Sequence, residues 1–148
     1  PKFKRILARA KERDVNESDT VTIVTDMLEE IFGFDKYSEI TREYAIQGTY
    51  CDLAIKTARK IEYLVEVKAI GLSLNESRLK QAVNYASREG IKWVVLTNGI
   101  KWEIHRVILD ERVMHRCKKI ESTRKFTGFP SGRGSVKAGL RGPRRWSL

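Results

Sequence analysis

The chain has 148 residues, of which 41% are hydrophobic and 32% are charged, and its formal net charge is +10. This length and hydrophobic content predict one globular domain with a substantial core. No apolar run approaches the ~20 residues of a membrane span and no signal peptide is evident, so we expect a cytoplasmic protein outside any membrane. The two cysteines, Cys51 and Cys117, form no CxxC pair, which predicts reduced thiols.

The positive charge is concentrated at the C-terminal end. Residues 118–148 contain nine Lys or Arg and one acid, Glu121, whereas residues 1–117 contain 20 basic and 18 acidic side chains. Glycine and proline are frequent from Gly128 onwards, so the sequence predicts an irregular, basic, Gly-rich tail over 118–148. Such a tail either attracts nucleic-acid phosphates without sequence preference or serves only solubility.

Two helices are predicted before residue 33. Residues 1–14 form a short basic helix, whose charged face contacts either nucleic acid or solvent. A second helix begins near Asn16 or Ser18, both good N-caps, and ends before Gly33. Glu17 projects onto the apolar stripe of this second helix. It either complements the helix dipole or is a third acidic group at a metal site.

A β-hairpin is predicted in the middle of the chain. An extended stretch over 40–47 precedes it, and Gly48 provides a kink. The strands cover residues 50–56 and 61–68, and Thr57–Lys60 forms the turn.

Three charged residues of this hairpin point to chemistry. If its centre lies at Arg59, Asp52 stands opposite Glu66, and Lys68 faces the same side two residues later. Cross-strand partners lie roughly 4.5–5.5 Å apart, where like charges are unfavourable. A divalent cation held between the two carboxylates would remove this penalty. The hairpin therefore predicts a metal site suited to phosphodiester hydrolysis.

A third helix follows the hairpin. Residues 73–76 match a capping box and begin the helix, which runs to about Glu89 and is ended by Gly90. Its flank carries Gln81 and Tyr85 one turn apart.

A second hairpin completes the predicted elements. Its strands cover residues 93–97 and 100–107 and are joined by Asn98-Gly99, a strong hairpin pattern. The alternation of apolar and polar residues in the second strand places His105 on the solvent side.

The order of these elements resembles the PD-(D/E)xK nuclease superfamily. It resembles more closely the N-terminal nuclease domain of type I restriction enzyme R subunits and their stand-alone relatives. Two departures stand out: Cys51 replaces the superfamily's proline, and the chain has no GxxxxGK[ST] phosphate loop, so no nucleotide cofactor is expected. The resemblance covers residues 15–107 and is carried by Asp52, Glu66-x-Lys68, Gln81-x-x-x-Tyr85 and Thr97-Asn98-Gly99-x-x-Trp102.

The resemblance implies a fold and a function. The fold is α/β (α+β), with a restriction-endonuclease-like core over residues 15–117 and a mixed central sheet of four to five strands flanked by helices. The function is that of a metal-dependent DNA endonuclease of the restriction type, with Mg²⁺, replaceable by Mn²⁺, as cofactor. Its partners are DNA and either a second copy of the chain or restriction-complex subunits. The alternative is a catalytically silent nucleic-acid-binding or regulatory module of such a complex.

The resemblance also implies roles for individual residues. Asp52, Glu66 and Lys68 are the expected catalytic residues, and Lys68 would orient the attacking water or stabilise the transition state. Because phosphate contacts carry no base information, the recognition sequence and the choice among DNA, RNA and branched substrates stay open. The expected metal ligands are Asp52, Glu66, Val67 and Glu17, and the expected supporting or substrate-binding residues are Gln81, Tyr85 and Glu17.

Overall fold

The computed structural model describes residues 2–46, 48–108 and 119–127. No helix in these described ranges has the length and apolar character needed to cross a membrane. The described helices are α1 (Lys2–Glu12), α2 (Glu17–Glu30) and α3 (Glu76–Arg88). The described strands are β1 (Ile40–Ile46), β2 (Thr49–Thr57), β3 (Lys60–Val67), β4 (Trp93–Thr97), β5 (Lys101–Ile108) and β6 (Lys119–Thr127).

One mixed sheet holds these strands in the order in which they occur in the chain. Neighbouring strands are antiparallel except for β3 and β4, which run parallel and are connected through α3. The predicted α/β (α+β) class, with a mixed sheet flanked by helices, is confirmed. Strands β1–β5 supply the five strands of the expected core, and β6 extends the sheet by one strand.

Strand β6 corrects the prediction that residues 118–148 are irregular. Lys119–Thr127 pairs antiparallel with β5. The prediction relied on glycine and proline, but residues 119–127 contain neither, and Ile120, Thr123 and Phe126 are residue types that favour strands. The rest of the predicted tail, from residue 128 onwards, lies outside the described residues.

Helices α1 and α2 cover one face of the sheet. Asn16 caps α2 as predicted, because its side-chain oxygen accepts the backbone N–H of Asp19 at 2.9 Å. The core on this side joins both helices to strands β1 to β5. Its fully buried members include Val24, Leu28, Phe34, Leu53, Ile55, Tyr63, Val65, Val67 and Val95.

Helix α3 covers the other face, where it packs on Ala54, Leu64 and Val94. The predicted capping box at residues 73–76 is wrong, since the N-cap is Asn75, whose side chain accepts a hydrogen bond from Ser77 at 3.1 Å. The predicted exposure of His105 is wrong as well. Both faces of the sheet are covered, so this side chain is only 3% exposed.

The β2–β3 hairpin has the predicted register. Residues 53–55 pair with residues 63–65, which centres this part of the hairpin on Arg59. The register shifts after Ile55, and a two-residue turn of Ala58 and Arg59 remains. Both turn residues have positive φ, at 48° and 69°, as a type I′ turn requires.

Replacing this turn by Asn-Gly is expected to stabilise the protein. The left-handed region costs ordinary L-residues roughly 1–2 kcal/mol each, and Asn and Gly tolerate it best. We expect Ala58→Asn/Arg59→Gly to raise the free energy of unfolding by about 1 kcal/mol in urea titrations. Arg59→Lys, which keeps the strained backbone, should leave it unchanged, and a lower urea midpoint for the double variant would contradict the prediction.

Candidate active site

The predicted catalytic residues lie at one end of the sheet, where β2 begins and β3 ends. Asp52 is in the first half of β2, Glu66 is the next-to-last residue of β3, and Lys68 follows that strand directly. The pairing of Leu53 with Val65, continued by one position, places Asp52 across from Glu66. The register thus places Asp52 and Glu66 at facing positions of the hairpin, as the sequence predicted.

Two of these charged side chains are almost completely buried. Glu66 is 3% exposed and Lys68 is 6% exposed, while Asp52 is half-buried. Removing a charged group from water costs several kcal/mol even after relaxation, so such groups are rarely buried without a compensating interaction. Glu66 and Lys68 are therefore not part of a solvent-exposed strand face.

Backbone hydrogen bonds position Asp52 and the start of the following loop. The Val67 N–H donates to Asp52 Oδ2 at 2.7 Å, a short charge-assisted bond. The Lys68 N–H donates to the Thr97 carbonyl at 2.8 Å. These two bonds couple β2, β3 and β4 at the point where the catalytic candidates meet.

Glu17 reaches the site from the first turn of α2. Its Oε2 lies 3.4 Å from Lys68 Nζ, and the two side chains are 39% and 8% exposed. This position fits the helix-dipole reading of Glu17, because the residue is an acid in the first turn of α2, while its role as a third acidic group at a metal site stays a prediction. Within the described residues, no group of three or more His, Cys, Asp or Glu side chains is arranged to hold a metal ion.

Cys51 lies next to the candidate catalytic residues. The sequence indicated it only as a reduced thiol in the place of the superfamily's proline. The side chain is fully buried, and Sγ lies 3.4 Å from the carbonyl oxygens of Leu53 and Val65. Burial raises the pKa of this thiol well above its usual value, and the nearby charges of Glu66 and Asp52 raise the pKa further. Both carboxylates therefore act on one desolvated thiol.

The raised pKa predicts an unreactive thiol. Because the thiolate is the nucleophile, Cys51 should resist iodoacetamide in the folded protein at pH 8 and react only after denaturation. Labelling a Cys117→Ser variant and locating the modification by mass spectrometry tests this. Rapid labelling of Cys51 without denaturant would contradict its described burial.

Gln81 and Tyr85 both lie on α3. Gln81 is exposed. The Tyr85 ring packs edge-on against Tyr44 of β1 with centroids 6.3 Å apart, and Tyr44 pairs with Cys51. A hydrogen bond with Tyr44 is the main cause, and desolvation the second, of a rise in the pKa of Tyr85 to about 12. Tyr85 is thus a neutral hydroxyl near the site, and the roles predicted for Gln81 and Tyr85 stay predictions.

Asn98 in the β4–β5 turn holds the loop that follows Lys68. The side chain is 5% exposed, and its Nδ2 donates to the Leu72 carbonyl at 2.9 Å. Its Oδ1 accepts the N–H groups of Ile100 and Lys101 at 3.1 and 2.8 Å. The sequence indicated Asn98 as a turn residue and as part of a family motif, and in the structure its side-chain amide also bridges two loops at the active-site end.

The fold and the site define a mixed α/β domain with a buried carboxylate–lysine centre at one end of its sheet. The sequence model of the family described as type I restriction enzyme R protein N terminus matches residues 23–120. The chain belongs to this family, which places it in a restriction system. The matched segment contains Asp52, Glu66 and Lys68 but excludes α1 and Glu17. No curated protein and no solved structure matches the chain with significance.

Proposed function

We propose that the chain is a metal-dependent endonuclease that hydrolyses DNA phosphodiester bonds within a restriction system. The observation that carries this proposal is the burial of Glu66 and Lys68, 3% and 6% exposed, beside Asp52. Two opposite charges kept out of water at the end of a sheet indicate a site retained for chemistry rather than for stability. Membership of the restriction enzyme R protein family supports the choice of DNA as substrate.

Asp52 and Glu66 would hold Mg²⁺ in this function. Both carboxylates act on the buried Cys51 thiol, so two like charges share a desolvated region that a hard cation would stabilise. When bound, Mg²⁺ lowers the pKa of a coordinated water and neutralises charge on the phosphate, and Mn²⁺ suits the same oxygen donors. The carbonyl of Val67 would add a further oxygen, a role that stays a prediction along with metal ligation by Glu17.

Lys68 would act on the attacking water or on the charge that develops on the phosphate. Its ammonium is a compact charge with three donors, one of which Glu17 Oε2 engages at 3.4 Å. Its backbone is anchored to Thr97. A donor that is already oriented needs little reorganisation during the reaction, and this is the main source of electrostatic stabilisation in enzymes.

Incubating the purified chain with supercoiled plasmid, with Mg²⁺ or with EDTA, tests the proposal. We expect nicking or linearisation that requires the metal and is restored by Mn²⁺ after EDTA treatment. Retention of uncut plasmid that weakens with salt, in the presence of either ion, would contradict the proposal. That result would favour the alternative, a catalytically silent binding or regulatory module.

A further inference from the structure

The end of α1 lies beside the candidate active site. Asp14, two residues after the helix, packs its carboxylate directly against Gly71 in the loop that follows Lys68. Three residues after Asp14, Glu17 contacts Lys68 at 3.4 Å. The segment that connects α1 to α2 therefore forms one wall of the active-site end of the sheet.

Three arginines follow one line along α1 towards this wall. Arg5, Arg9 and Arg13 are spaced by four residues, so they are neighbours on the helix surface, and all three are exposed. The Arg13 N–H donates to the Arg9 carbonyl at 3.0 Å, which continues the helical hydrogen-bond pattern through Arg13. We call these three residues the arginine ridge.

The arginine ridge has no acidic partner within the described residues. None of its guanidinium groups takes part in an ion pair or a side-chain hydrogen bond there. By contrast, Lys2 at the start of the helix pairs with Glu30 of α2. Lys4 and Lys11 are further exposed cations on α1, and Glu12 is its one acid. The helix surface therefore carries an excess positive charge that attracts polyanions.

We propose that the arginine ridge binds the phosphate backbone of duplex DNA on one side of the bond to be cut. The ridge spans roughly 12 Å at 1.5 Å per residue, and each strand of B-DNA carries one phosphate per 3.4 Å of helix axis. Guanidinium groups bind phosphate oxygens in a bidentate manner. The partner rests on the proposed function, but α1 lies outside the family match, so family membership does not supply the ridge.

A matched pair of variants of the full chain tests this inference. The ridge variant is Arg5→Gln/Arg9→Gln/Arg13→Gln. The control variant is Arg59→Gln/Lys60→Gln/Lys92→Gln, which removes three exposed charges at the other end of β3 and before β4. Along the strands, Lys60 lies roughly 20 Å from Glu66 and Lys92 roughly 13 Å, given about 3.3 Å per strand residue. Binding of a short labelled duplex is measured by fluorescence anisotropy in EDTA over a range of salt concentrations.

The salt dependence of binding decides the outcome. For every phosphate that the protein no longer neutralises, the slope of log K against log salt should become shallower by about 0.9, so we expect a change of about 2–3 for the ridge variant. The control variant should keep the wild-type slope. Equal changes in both variants would overturn the inference, because they would indicate only net charge. A lower melting temperature of the ridge variant with an unchanged slope would overturn it too, because the arginines would then serve only the stability of the fold.

The plasmid assay separates this inference from the proposed function. If the wild-type chain does not cut plasmid but the ridge variant still shows the shallower slope, the nuclease proposal fails and the ridge stands. If the wild-type chain cuts plasmid and the ridge variant has the same salt slope as the wild-type chain, only the inference about the arginine ridge fails.

Discussion

Lys68→Met and Glu66→Gln are each expected to abolish metal-dependent plasmid cleavage while the protein stays folded. Loss of one preorganised group that stabilises developing charge typically lowers kcat about 10²–10³-fold. Glu66→Gln removes one of two like charges at facing positions of the hairpin, and Lys68→Met leaves its partner Glu17, which is 39% exposed, in contact with water. We therefore expect the melting temperature of both variants to equal or exceed that of the wild-type chain. The rate of plasmid nicking and a thermal melt are the two measurements.

Glu62→Gln is the matched control for these variants. Glu62 lies on β3 four residues before Glu66, on the same side of the strand but at the opposite end, and it is half-buried. This variant should cut at the wild-type rate. Wild-type cleavage by Lys68→Met would show that the nuclease activity resides elsewhere or in a contaminant. A large drop in melting temperature would show that Lys68 has a structural role instead.

Leu53→Ala is expected to cause a large loss of stability. The side chain is fully buried in the core between the sheet and the α1–α2 layer. Deleting three methyl or methylene groups at such a site removes hydrophobic burial and leaves a cavity, at a cost of about 2–5 kcal/mol. Urea unfolding followed by circular dichroism measures the change.

Leu72→Ala makes the same chemical change on the surface and serves as the control. Leu72 is 57% exposed, and its two hydrogen bonds use only its backbone: its N–H donates to the Ala69 carbonyl and its carbonyl accepts from Asn98. We expect this variant to lose less than about 0.5 kcal/mol. Similar losses for the two variants would contradict the described burial of Leu53.

Most of the fold could be predicted because its elements are specified by residues close in sequence. The cap at Asn16, the turn at Asn98-Gly99 and the hairpin centre at Arg59 each depend on hydrogen bonds within a few residues. The family was predicted in the same way, from motifs at characteristic spacings, and the match to residues 23–120 confirms it.

The predictions that were wrong concern positions where distant contacts outweigh local pattern. Strand β6 forms because the edge of β5 offers backbone partners to a segment free of glycine and proline. The alternation of apolar and polar residues along β5 predicted that His105 faces solvent, but α3 covers that face of the sheet and His105 is buried. The capping box at residues 73–76 matched a local motif, yet α3 begins at Glu76 with Asn75 as its cap.

For the site, the sequence by itself determined that Asp52 and Glu66 occupy facing positions of the β2–β3 hairpin and that Lys68 follows. Hairpin register has a period of two and is set by a turn only a few residues away. Only the tertiary structure decided that Glu17 contacts Lys68, 51 positions along the chain. The physical reason is that this contact depends on how α2 packs on the sheet. Periodicity shows which face of a helix is buried but does not specify which residue the end of that helix meets.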